Sequence, residues 1–327
     1  MNEFRTELKP HPSAQPIKLG QKLVTLGSCF ADSIGSNLAA HKFSVSVNPF
    51  GVTYNPLSIH RHLMRAIYNQ PAPDTAFLSR DGIHLNYDYH SQFSALTQAD
   101  LEAALQQVNS HCHHFLQGAH HVILTYGTAW AYERLDNEDL VANCHKIPST
   151  QFRKILLTQK RIIESFEEMH KAARAFNSNI RFILTVSPVR HLKDTLELNS
   201  VSKSVLRLAC HTLSELYPNV EYFPAYEILL DDLRDYRFYD ADMLHPSPAA
   251  IDYIWQKFSN AYFDDATQTI LSKWHHLAKS ISHIPFHHAS PAHQRFLIET
   301  LRQFDELRPL INVDEEIKTL QAQLIKT

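Results

Sequence analysis

The stretch KLVTLGSCFAD, residues 22–32, constrains the fold more than any other. Leu23, Val24 and Leu26 read as a short buried strand and Gly27-Ser28-Cys29 as a turn. From Phe30 onward the chain reads as a helix, with Phe30, Ile34, Leu38 and Ala39 on one face. A strand that turns directly into a helix belongs to an α/β protein. A nucleophile on such a turn projects at the carboxyl end of the sheet, where open α/β sheets bind ligands. Its backbone N–H lies at a helix N-terminus, where developing negative charge is favoured. The plainer reading of the same residues is an ordinary strand–helix connection in which Ser28 caps the helix.

The rest of the chain repeats this alternation. Strands are expected at Phe43–Val47, His121–Tyr126, Arg181–Val186 and Val220–Phe223. Helices are expected at Leu57–Tyr68, Thr97–Leu116, Phe152–Phe176, Val201–Tyr217, Glu227–Arg234 and Ala249–Phe263. Asp81-Gly82 and Asp136-Asn137 mark two hairpins inserted between them. Strand–helix alternation of this kind predicts a mostly parallel five-stranded sheet with helices on both faces, a three-layer α/β/α fold. Residues 1–20 read as an extended arm and 21–265 as the α/β domain. Residues 266–327 read as a helical extension, with helices at Leu271–Ile281, Gln294–Leu307 and Val313–Ile325.

Composition narrows the class of function. A net charge of −3, with acids and bases mixed along the chain, offers no basic stripe for nucleic acid. No apolar run approaches the roughly 18 residues of a membrane span. The first 20 residues are polar and hold three prolines, so no secretory signal is read there. The four cysteines, Cys29, Cys112, Cys144 and Cys210, form no CxxC pair, and the expected location is cytoplasmic. No P-loop, GxGxxG or HExxH is present, so no cofactor is expected. His111-Cys112-His113-His114 invites a metal reading, but on a helix only His111 and His114 share a face, and no metal site is assigned. The C-terminal helices are a surface for packing or homo-oligomerisation.

Three loops fall at the carboxyl ends of expected strands: Gly27-Ser28-Cys29, Asn48–Asn55 and Gly127–Tyr132. A fourth, Asp240–Pro248, opens the last helix of the sheet domain. In a parallel sheet these loops converge on one edge and can form a site. The blocks LGSCFADS, NPFGVTYNP, YGTAWAY, NCHKIPS, SPVRHLKD and DMLHPS, in that order over residues 20–260, resemble those of the GSCFA family. That family is similar to the SGNH/GDSL hydrolases, whose pattern has a GDS nucleophile turn, a backbone Gly, a GxN block and a terminal DxxH.

The resemblance implies roles residue by residue. The nucleophile position falls on Cys29, with Ser28 as the alternative. Gly51 stands where an oxyanion N–H is supplied, and Asp242 and His245 match DxxH. Gly127 matches the third block, but its Asn position is occupied by Ala129. A carboxylate three residues before a histidine can orient the imidazole through Nδ1 and leave Nε2 to take a proton. Asp81 and His84 share that spacing, in a hairpin read as structural. A cysteine at a helix N-terminus beside an imidazole is expected to be largely thiolate.

Ala129 leaves an oxyanion donor to be found, and Asn143 and Thr128 are the candidates. His145, Lys146, Arg190 and His191 are candidates for binding an anionic or carbonyl group of the substrate. Trp130, Tyr54, Tyr126 and Tyr132 would bring aromatic surface for a sugar or aryl group. The function expected is hydrolysis or transfer of a small or carbohydrate-linked acyl ester through an acyl-enzyme. The alternatives are a binding protein that keeps the fold without turnover, or a scaffold.

Overall fold

Five strands pair in parallel in the order β5-β4-β3-β1-β2. They are β1 (Lys22–Gly27), β2 (Ser44–Val47), β3 (Ala119–Tyr126), β4 (Arg181–Val186) and β5 (Val220–Tyr222). The computed structural model describes residues 5–281 and 285–325. Expectations touching residues 1–4, 282–284 and 326–327 lie outside those described.

Strand periodicity divides the core into two layers. Val24, Leu26, Val122, Leu124, Phe182 and Leu184 face one side. There they meet α2 (Pro56–Tyr68), α3 (Gln98–Gln117), α4 (Gln159–Phe176) and α5 (Thr195–Leu216). Leu23, Ile123 and Ile183 face the other side, against α1 (Cys29–Ala40) and α6 (Pro248–Tyr262). The expected three-layer α/β/α fold is thus observed. Gly35 of α1 makes the close approach to the sheet possible, because a Cβ there would lie 2.6 Å from Val47 Cγ1.

The hairpin at Asp81-Gly82 is formed by Phe77–Arg80 and Ile83–Asn86, with positive φ at both turn residues, as a primed turn requires. The second insertion departs from expectation. Phe152–Phe176 is not one helix: Phe152–Leu156 is a strand that pairs antiparallel with Trp130–Arg134, and α4 starts only after Thr158 caps it. The apolar positions Phe152, Ile155 and Leu156 fit a helical face equally well, and strand pairing decides between them. Helix α5 begins six residues earlier than expected, at Thr195. The expected helix at Glu227–Arg234 takes a π-helical form over Ile228–Leu233.

The N-terminal arm is pinned rather than free. Ile17 is fully buried and bridges to Phe263, and the Ser13 amide donates to Ala261 O. Three further helices follow: α7 (Asp265–Ile281), α8 (Pro291–Leu307) and α9 (Asp314–Gln321). They enclose their own apolar cluster around Trp274, Leu297, Phe304 and Val313. Among the described residues no helix is long and apolar enough to cross a membrane.

Candidate active site

The first strand ends in a backbone geometry that few residues tolerate. Gly27 has φ +140°, and a Cβ there would stand 2.1 Å from the Thr125 carbonyl oxygen. This close approach of β1 to β3 lets the Ser28 amide donate to Thr125 O at 3.1 Å. The Ser28 side chain is fully buried, its hydroxyl has no hydrogen-bond partner, and it does not cap α1. Ser28 thus occupies the N-cap position without the side-chain bond expected of a cap, and its hydroxyl is buried beneath the turn. Cys29 is the first residue of α1 and is half-buried.

Two other strand-end loops are sewn to this turn. The Thr53 amide donates to Gly27 O, and the Gly127 and Thr128 amides both donate to Tyr54 O, at 2.8 and 3.1 Å. Asn48 ties the layers together. Its Oδ1 accepts from the Gly27 amide at 2.8 Å, and its Nδ2 donates to Asp32 Oδ1 at 2.6 Å. Gly127 packs so tightly that a Cβ would lie 3.2 Å from Ser28 Cβ and from Tyr54.

The loop before α6 completes the group. His245 Nε2 stands 3.6 Å from Cys29 Sγ, and His245 Nδ1 stands 2.6 Å from Asp242 Oδ2. Asp242 Oδ1 also accepts the backbone amides of Leu244 and His245, at 2.8 and 3.0 Å. Those donors hold the Asp242 carboxyl down at about 2. The carboxylate therefore fixes the ring with Nδ1 protonated and leaves Nε2 free to accept. Met243 between them adopts φ +59°, a strained conformation for a side-chain-bearing residue, fixed by the turn bond from its amide to Asp240 O.

Burial pushes the Cys29 thiol above the ordinary cysteine range, and the Asp32 carboxylate adds to the rise. Its own backbone N–H, the Tyr54 hydroxyl and the Lys203 ammonium pull less strongly the other way. The expected resting thiolate is thus corrected to a thiol, because desolvation outweighs the helix N-terminus.

The remaining sequence candidates separate into two groups. Arg190 stays near the centre: its amide donates to Leu244 O at 3.2 Å, and its guanidinium lies 3.9 Å from the Tyr239 ring centre. His191 packs edge-on to Tyr54, and burial lowers it to about 4, so it is neutral. Asn143 and His145 form a different cluster. His145 is buried, with Nδ1 3.1 Å from Ser91 Oγ and Nε2 2.7 Å from Asn86 O, while Asn143 Nδ2 donates to Ser91 Oγ. Tyr126 is buried against His60, to whose Nε2 its hydroxyl is bonded at 2.7 Å. Tyr132 lies in the three-stranded insertion, opposite Lys154 and edge-on to Phe152.

The expected oxyanion donors are already engaged. The Gly51 amide donates to Asn48 O at 2.7 Å. The Thr128 amide is held by Tyr54 O, and the Thr128 hydroxyl is shared with Ser202 and the Trp130 amide. The Trp130 indole donates to Leu198 O. Asn143 is committed to Ser91 through Nδ2 and to the His145 amide through Oδ1. The Ala129 side chain is fully buried, and its amide donates to Ser202 Oγ at 2.7 Å. The Cys29 amide, in the first turn of α1, has no intrahelical acceptor.

Sequence reasoning missed Ser202 and Lys203. Lys203 is buried, and its Nζ donates to Gly127 O and Ser187 O, each at 2.7 Å. Burial lowers it to about 7. The signal was present: Lys203 falls in phase with Leu206, Cys210 and Leu213 on the buried face of α5.

Fold and site together define an α/β protein with a Cys–His–Asp constellation at the carboxyl ends of its parallel strands. The chain belongs to the GSCFA family, which it matches over residues 22–258, and residues 274–326 match the family's C-terminal domain. No curated protein matches the sequence. In structure the chain is similar to a Streptococcus pneumonia protein provisionally described as a platelet activating factor. Identity is 10%, coverage is 76% of this chain and 85% of that one, and the TM-score is 0.39. It is also similar to a carbohydrate esterase family 2 enzyme with its carbohydrate-binding domain from Corynascus thermopiles (Myceliophthora fergusii), at 11% identity, 79% and 69% coverage and a TM-score of 0.38. A carbohydrate esterase family 3 protein from Talaromyces cellulolyticus is similar at 11% identity, 77% and 98% coverage and a TM-score of 0.33.

Proposed function

We propose that the protein is an SGNH-type acyl-ester hydrolase or acyltransferase, working through a thioester on Cys29, with residues 21–265 as the catalytic unit. The observation that carries this reading is the continuous chain Cys29 Sγ, His245 Nε2, His245 Nδ1, Asp242 Oδ2, with separations of 3.6 and 2.6 Å. As Cys29 Sγ attacks the ester carbonyl, the thiol proton passes to His245 Nε2 and a tetrahedral oxyanion forms. Asp242 supports the imidazolium. The Cys29 amide at the start of α1 faces the developing charge. The C–O bond then breaks, the leaving alkoxide takes the proton from His245, and the acyl group stays on sulfur. Water, or a second hydroxyl or amine, attacks the thioester with His245 taking its proton. The acyl product leaves and Cys29 regains its proton.

A thiol that ionises only during attack needs the base, unlike a preformed thiolate. Turnover of a panel of aryl and sugar esters by the wild type and by His245→Ala tests the reading. Wild-type turnover that falls by about 10²-fold or more on loss of the base is the expected result. The absence of wild-type turnover across acetyl to long-chain esters would leave a ligand-binding protein. The engaged amides of Gly51 and Gly127 and the buried Ala129 favour that second reading.

A further inference from the structure

Two adjacent residues of α5 rebuild the loop that follows β3. Ser202 receives the Ala129 amide and bonds the Thr128 hydroxyl. Lys203 donates from Nζ to Gly127 O and Ser187 O, the residues that follow β3 and β4. Holding two strand-end carbonyls explains why a lysine can be tolerated there, but neutral donors would do that without the cost of burying a charge. What an ammonium adds is a fixed positive charge. Gly127, whose carbonyl the ammonium holds, packs against Ser28, the residue before Cys29: a Cβ on Gly127 would lie 3.2 Å from Ser28 Cβ. The charge thus sits behind the nucleophile turn and favours ionisation of Cys29. The ammonium's hydrogen bonds go to two backbone carbonyls, Tyr226 lies at ring distance and the nearby His191 is neutral; among the described residues no carboxylate forms an ion pair with it. The groups acting on Cys29 itself are His245, Tyr54, Asp32 and Lys203.

We propose that Lys203 is an electrostatic positioning residue: its buried ammonium, anchored on Gly127 O and Ser187 O, stabilises negative charge developing at Cys29. The inference rests on Cys29 as the reactive thiol, but its test needs no substrate. The ammonium acts through the thiol and does not touch the acyl group.

The test is the rate of Cys29 alkylation by iodoacetamide, followed on the Cys29 peptide by mass spectrometry, with Cys144 as internal reference. Wild type is compared with Lys203→Met, Lys203→Gln and Lys203→Arg, each checked for a cooperative thermal transition. Below pH 7, where the ammonium is intact, wild type should react about tenfold faster than the Met and Gln variants. The difference should close by about pH 9 as Lys203 loses its proton, and Lys203→Arg should retain the faster reaction at both pH values. Equal rates for wild type and Lys203→Gln at low pH would overturn the proposal. So would a rate difference independent of pH, which marks a purely structural lysine, or failure of every substituted protein to fold. A protein that shows this pattern yet turns over no ester would sink the acyl-transfer reading and leave the role of Lys203 standing.

Discussion

Cys29 Sγ and His245 Nε2 meet at 3.6 Å although 216 residues separate them in the sequence. Cys29 is fixed by the strand-to-helix turn and His245 by the loop that opens α6, so the pair exists only when the first and last elements of the sheet domain pack on one another. The contact links a thiol raised by burial to a ring oriented by a carboxylate.

A resting thiol has a kinetic signature. Because burial raises Cys29, alkylation and acylation should both be slow at pH 6 and rise through pH 8, with no plateau that a preformed thiolate would give. Stopped-flow rates against pH check this. A flat profile between pH 5 and 8 would indicate an ion pair at rest.

Asp242 should act by orientation and never by titration in the working range. Its folded value of about 2 lies below the ordinary carboxylate range, so the stabilisation of the loop is present above about pH 4 and is lost as pH falls through 2. Asp242→Asn should lower the acylation rate by about 10²–10⁴-fold without moving the melting temperature by more than a few degrees. Burst kinetics and calorimetry on the same sample separate the two effects.

Gly27 and Gly127 should differ in kind. Gly27→Ala places a methyl group 2.1 Å from a backbone oxygen in a disfavoured φ region, and should cost more than about 2 kcal/mol or prevent folding. Gly127→Ala meets Ser28 and Tyr54 at 3.2 Å, so the protein should fold while the turn shifts, and the rate should drop more than the stability. Urea unfolding and turnover measured together test the contrast.

Placing at position 129 the Asn of the SGNH/GDSL pattern should not supply a donor. Ala129 is fully buried among core residues and its amide is held by Ser202, so Ala129→Asn should destabilise by about 1–3 kcal/mol and leave the rate no higher. A rate increase would show that the side chain reaches the oxyanion after all.

Much of this was legible in residues 20–263. The apolar runs of β1, β3 and β4 and the helical phases of α1, α3 and α6 fix the layers, because burial on both faces leaves little freedom for register. The order of the loop blocks placed Cys29 and His245 together. Local pattern did not separate the strand Phe152–Leu156 from the helix that follows it, since an apolar pair at that spacing suits both and only Trp130–Arg134 across the sheet selects one. The partners that engage Gly51, Thr128 and Asn143 were not legible, because an amide's availability depends on which distant carbonyl or hydroxyl it meets. Lys203 was not singled out in the sequence, although its phase with Leu206 and Cys210 marks the buried face.

The central claim is that Cys29 accepts the acyl group, and intact mass after reaction with an activated acyl ester tests it most directly. The account predicts one added acyl mass, removed by neutral hydroxylamine, in the wild type and in Ser28→Ala, and none in Cys29→Ala. An adduct that persists in Cys29→Ala and disappears in Ser28→Ala would contradict it.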